Sequence, residues 1–245
     1  MNDNRVNYQT FIEMLKELNQ YIVNEYDPHY ILEVRAIGGF SMIIHSRLGD
    51  IDSPREMSRD IDSLTEDYPD KIISEIKKIG EKHGANDEDG WLNNHWNRTK
   101  KYNEEFAYFI NWIKLDEASF SNINVYYADL ESLFMFKIRA IDDRINHAKL
   151  EPRQQDIIDC VSILRAYNIK SFDKIENEII KNTVPYFPYA ANYLIDQNIM
   201  KGNRFDITVA NSYEHEDNDY ARRIAQIMQE YVKQESHSSF DNSAK

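Results

Sequence analysis

Among side chains able to do chemistry, the pair in Asp60-Ile61-Asp62 has the most suggestive spacing. In an extended strand alternate side chains share a face, so both aspartates would point one way while Ile61 enters the core. Strand rise puts them roughly 6–7 Å apart, where two carboxylates can hold divalent cations that carry a triphosphate. Upstream, an apolar run ends in Gly38-Gly39. A double glycine lets the backbone come close to phosphate oxygens where a helix begins. The competing reading is a surface Asp-x-Asp after an ordinary strand–helix turn. A second Asp-x-Asp, Asp50 and Asp52, lies among Gly, Ser and Pro, where side chains do not alternate regularly. It reads as turn or cap residues.

The elements that must position these groups follow from periodicity. Residues 8–26 place Phe11, Met14, Leu15, Leu18 and Ile22 at helical spacing, and Asp27-Pro28 stops the helix. Residues 30–37 (YILEVRAI) read as a strand, and 40–48 as a helix packed beneath it. On that helix His45 reads as a structural residue, with metal ligation as the alternative. After the polar loop 49–57 and the Asp-Ile-Asp segment, Tyr68-Pro69-Asp70 opens a helix with Ile72, Ile73, Ile76 and Ile79 in a stripe, ending at Gly84. Its Lys71, Lys77, Lys78 and Lys82 form a solvated face, an RNA-contacting patch being the minority alternative. Residues 106–115 and 122–127 read as strands.

Asp129 suits the cap of a following helix that carries Lys137, with Glu131 favourably placed in its first turn. A helix with Ile157, Ile158, Val161 and Leu164 on one side begins near residue 154, and Cys160 lies within it as a core residue. Residues 174–180 look helical, 184–189 break the pattern with aromatic residues over a core edge, and 221–231 form a last helix. The expected fold is α+β, a mixed sheet flanked by helices. The expected divisions are 1–150, a helical C-terminal region 151–233, and a disordered tail 234–245.

Bulk properties narrow the function. A net charge of −13 argues against a protein that grips nucleic acid by a broad basic face, so an RNA substrate would need a local patch. No apolar run approaches the ~20 residues of a membrane span, and the N-terminus lacks a signal pattern. The single cysteine excludes an internal disulfide and fits a reducing cytosol. A cytoplasmic protein without membrane contact is expected.

Gly38-Gly39-Phe40-Ser41 followed by Ser58-Arg59-Asp60-Ile61-Asp62 resembles the signature of minimal nucleotidyltransferases of the polymerase-beta-like superfamily, particularly the AbiEii-like toxin branch. Asp129-Leu130-Glu131, then Lys137, Ala140, Arg144, Asp156 and Asp159, is similar to that branch's later helix motif, and Trp91-Leu92-Asn93 to an element of some members. The resemblance spans about residues 30–165. It implies a nucleotidyltransferase-like core in which Gly38, Gly39 and Ser41 cradle a nucleoside triphosphate, Asp60 and Asp62 hold Mg²⁺ or Mn²⁺, and Lys137 meets phosphate oxygens. On the residues alone, Lys137 reads as a snorkelling helix lysine. Arg144 would either touch phosphate or pair with Asp156 or Asp159. The superfamily often supplies a third carboxylate from a later strand, for which Asp116 is the nearest candidate. The loop around Pro54 departs from compact members as an insertion. The implied activity is transfer of a nucleoside monophosphate to RNA, such as a tRNA 3′ end, or to a protein hydroxyl. The implied setting is a toxin with a cognate antitoxin or a phage-defence system. The alternative is a catalytically silent fold that binds nucleotide.

Overall fold

A computed structural model describes residues 5–52, 55–65, 67–85, 90–94, 110–116 and 120–207. The chain divides into two compact units, Met1–Asn103 with Asn111–Leu133, and Glu104–Ile110 with Phe134–Lys245.

The first unit is α+β. Its strands and helices are β1 (Val6–Asn7), α1 (Tyr8–Glu25), β2 (Leu32–Ile37), α2 (Gly38–Leu48), β3 (Met57–Ser58), β4 (Ile61–Ser63), α3 (Asp70–His83), β5 (Leu92–Asn93), β6 (Trp112–Lys114) and β7 (Ile123–Ala128). Five strands make a mixed sheet in the order β5-β4-β2-β7-β6, and β1 pairs separately with β3. The central β2 runs parallel to β7 and antiparallel to β4, while β5 runs parallel to β4. Strand β6 completes the sheet antiparallel to β7.

Amphipathic patterning accounts for the helices. In α1 the expected stripe Phe11, Met14, Leu15, Leu18 and Ile22 is buried, and the Asn7 side chain caps the helix by accepting the Thr10 amide at 2.9 Å. In α3 the buried residues include Ile72, Ile76 and Ile79. This helix packs on α1 and stops at Gly84 in the left-handed conformation. Two of its lysines meet carboxylates at the surface, Lys78 with Glu75 and Lys82 with Glu17. Helix α2 is buried along most of its length and packs on β2 and β4. It begins at Gly38, two residues before the expected start, because Gly38 itself makes the strand-to-helix turn with φ +65°.

Helix α4 (Leu130–Asn146) starts in the first unit and continues into the second. As expected, Asp129 caps it, accepting the Ser132 amide at 2.8 Å. The second unit adds α5 (Gln154–Ala166), α6 (Glu178–Thr183), a 3₁₀ turn (Val184–Tyr186) and α7 (Pro188–Asp196). Two sequence expectations change here. The helix expected over 174–180 starts at Glu178, where Asn177 caps it by accepting the Ile180 amide. The stretch 184–189 is a 3₁₀ turn running into α7, which Pro188 opens at the first helical position. The expected strand over 106–115 is described only at its end, as β6. The expected helix 221–231 and tail 234–245 lie outside the described residues.

Among the described residues, no helix is long and apolar enough to cross a membrane.

Candidate functional site

The turn from β2 into α2 is built around its two glycines. No side chain caps α2 at Ile37. A Cβ added to Gly38 would lie 2.8 Å from Asp62 Oδ2, and one added to Gly39 would collide with Ser58 Oγ and lie 2.6 Å from Arg55 Nη2. The Asp62 carboxylate therefore sits against the Gly38 backbone, and the Ser58 hydroxyl and Arg55 guanidinium against Gly39. A side chain at either position would have to displace these groups, and at Gly38 the φ of +65° strains any residue with a Cβ as well. Register explains the arrangement, because Ile37 pairs with Asp62 across the β2–β4 ladder. Ser58 is held by pairing with Val6 of β1, and the Arg55 amide donates to Ser46 Oγ at 3.0 Å.

Ile61 is fully buried, while Asp60 and Asp62 on either side of it are half-buried. Asp62 pairs with Asn93 of β5, and partners in a ladder share a sheet face. The Asn93 carboxamide donates Nδ2–H to Asp60 Oδ2 at 3.1 Å. Two carboxylates and a carboxamide thus gather at this end of β4 and β5, with Asp62 against the first turn of α2. Hard divalent cations take such oxygen donors, so the donor set suits Mg²⁺ or Mn²⁺. Among the described residues, no cluster of three or more His, Cys, Asp or Glu side chains is arranged to hold a metal. At this place the neighbour of the two acids is an amide.

Other sequence candidates fall elsewhere. Ser41 is wholly buried, and its hydroxyl donates to the Ala36 carbonyl at 2.8 Å, so it braces the turn from inside. Asp116 does not join the pair. The row through Asp62 and Ile37 runs on toward Ala128 and Trp112, whereas Asp116 lies four residues beyond Trp112, about 13 Å further along the strand direction. The His45 ring lies between Asp50 and the Ala128 carbonyl, Nδ1 2.7 Å from Asp50 Oδ2 and Nε2 2.9 Å from the carbonyl oxygen, which gives both residues a bracing role. Asp129, at the same end of the sheet as Gly38, has its carboxyl raised by burial, opposed by hydrogen bonding from Ser132.

In the second unit Lys137 is buried between two carboxylates, Asp156 at 2.9 Å and Asp159 at 2.8 Å. Its ammonium is not snorkelling to solvent. Arg144, the other residue expected to pair with those carboxylates, donates Nε–H to the Glu151 carbonyl at 2.9 Å instead. Beside this group Cys160 is buried, and burial pushes its thiol far above the usual range.

Arg55, Ser58 and Asn93 are the neighbours that sequence reasoning did not assign to the site. Ser58 had two signals, its even spacing from Asp60 and Asp62 and its place at the head of the resembling segment. Asn93 had only the Trp-Leu-Asn similarity, and Arg55 had none, because its approach to Gly39 depends on the path of the loop.

Comparison with protein-family models, with curated proteins and with solved structures gives no match to this chain.

Proposed function

We propose that the chain is a metal-dependent nucleotidyltransferase, moving a nucleoside monophosphate from a nucleoside triphosphate to a hydroxyl of RNA, such as a tRNA 3′ end, or of a protein. One observation carries this reading: the Asp62 carboxylate lies against Gly38 at the start of α2, with Asp60 beside it. The helix start presents backbone amides and a positive dipole end to phosphate oxygens. Asp60 and Asp62 would hold Mg²⁺ or Mn²⁺. When bound, the metal would neutralise charge on the leaving pyrophosphate and lower the pKa of the attacking hydroxyl. Arg55, against Gly39, brings positive charge to the phosphate side of an otherwise acidic chain. The sequence resemblance adds the setting, a toxin paired with an antitoxin protein or a phage-defence component.

The test is incubation of the purified chain with each α-labelled triphosphate, Mg²⁺ or Mn²⁺, and total RNA. Label in RNA or protein supports transfer, and its absence from both under every condition rejects it.

A second reading is a nucleotide-binding module without transfer. Specific observations favour it: an amide stands beside the two acids, and Lys137 is engaged by Asp156 and Asp159. Calorimetry showing tight triphosphate binding without label transfer selects this second reading.

A further inference from the structure

We infer that Asn93 is the positioning residue of the acidic pair, fixing the Asp60 carboxylate so that it and Asp62 can share one cation. This rests on the proposed metal-binding role of Asp60 and Asp62.

Strand β5 has only two residues, too few to hold a place at a sheet edge by ladder pairing alone. Trp91 supplies the anchor. Its ring is fully buried, its indole N–H donates to the Ile76 carbonyl at 2.8 Å, and its carbonyl accepts the Ile61 amide at 2.7 Å. The ring also fits against Gly80 of α3, where an added Cβ would come within 3.0 Å of Trp91 Cδ1. A tryptophan so fixed leaves the next two residues little freedom. Leu92 goes into the core opposite Ile61, and Asn93 comes opposite Asp62, within reach of Asp60.

The residue type matters at this point. Asp60 precedes β4, so its backbone is not fixed by the ladder as that of Asp62 is. A carboxylate there needs a side-chain partner to select one rotamer. Asn93 is almost wholly buried, and its amide N–H holds the Asp60 carboxylate in place without adding charge. A third carboxylate at this position would repel Asp60 when no cation is bound. Hydrogen-bond partners that orient metal ligands characteristically contribute 10–100-fold to metal affinity.

The experiment measures Mn²⁺ binding to the full chain by electron paramagnetic resonance, with and without a triphosphate, for wild type, Asp60→Ala, Asn93→Ala and Asn93→Leu. Thermal melting of each is recorded alongside. Leucine keeps the branched heavy-atom skeleton of Asn93 and removes its donor, so a cavity left in the alanine variant does not decide the outcome. The expected result is Mn²⁺ binding by wild type that Asp60→Ala weakens, with Asn93→Leu weaker by about tenfold at a melting temperature close to wild type. Wild-type affinity in Asn93→Leu, with the Asp60→Ala loss still present, overturns the inference and leaves the metal site standing. Absence of Mn²⁺ binding by wild type in both conditions overturns the metal site and the inference with it.

Discussion

Asp142 of α4 accepts the backbone N–H of Ala190 at 2.9 Å, and so caps α7 from a different helix. Phe187, the residue in the capping position, has no side-chain oxygen, and Pro188 follows it without an N–H. The carboxylate therefore does for Ala190, the third residue of the helix, what a local Ser or Asp does elsewhere.

This cap has a pH signature. Burial pushes Asp142 up to about 6, reinforced by neighbouring Asp143 and opposed by the Ala190 amide. A carboxyl whose folded pKa is raised stabilises the fold fully below its unfolded pKa of about 4, and that contribution is lost as pH rises through the folded value. Stability should therefore fall between about pH 4 and pH 7, by on the order of 3 kcal/mol at most. Asp142→Asn keeps an acceptor and removes the charge. In urea titrations across this range it should flatten the decline and be the more stable chain at pH 8.

Gly38→Ala should both strain the backbone and displace Asp62. The φ of +65° is unfavourable for a residue with a Cβ, and the added carbon would meet Asp62 Oδ2 at 2.8 Å. A loss of about 1–3 kcal/mol in chemical denaturation is expected, together with weaker Mn²⁺ binding. Gly49→Ala at the end of α2, with positive φ but nothing in contact, is the control that should lose stability alone.

Lys137→Met should be costly to the second unit. It removes the cation between Asp156 and Asp159 and leaves two carboxylates facing each other inside the protein. Breaking a buried pair in this way costs about 3–5 kcal/mol. The denaturation midpoint measures it. A midpoint equal to wild type would show that the ammonium is not held as a structural cation.

Cys160, the chain's single thiol, should resist modification. Its burial and raised pKa leave almost no thiolate, the reactive form. Reaction with a thiol reagent such as Ellman's reagent should be slow in the native protein and complete within minutes in urea. Rapid native reaction would contradict the packing of α5.

How much of this was legible in sequence depended on whether partners were local. Helices α1 and α3 were readable because their core residues recur every three or four positions and each stops next to a helix-ending signal, Asp27-Pro28 just past α1 and Gly84 at the end of α3. Helix α7 was not, because its cap is Asp142 on another helix and Pro188 looked like a breaker. Within the site, Gly38, Gly39, Asp60 and Asp62 carried spacing signals, and the β2–β4 register sets Asp62 against Gly38. The inward turn of the Ser41 hydroxyl and the pairing of Asn93 with Asp60 are tertiary facts without a local pattern. Which of Lys137 and Arg144 would take Asp156 and Asp159 depended on packing.

The central claim is that Asp60 and Asp62 form the metal-holding pair of a nucleotidyl transfer site. The most direct measurement is label transfer from an α-labelled triphosphate to RNA or protein, comparing wild type with Asp62→Asn. That substitution is nearly isosteric and leaves Gly38 uncrowded. Mg²⁺-dependent transfer by wild type, reduced at least about a hundredfold in an equally stable Asp62→Asn chain, is the expected result. Transfer at the wild-type rate by Asp62→Asn, or none by wild type with any triphosphate, would contradict it.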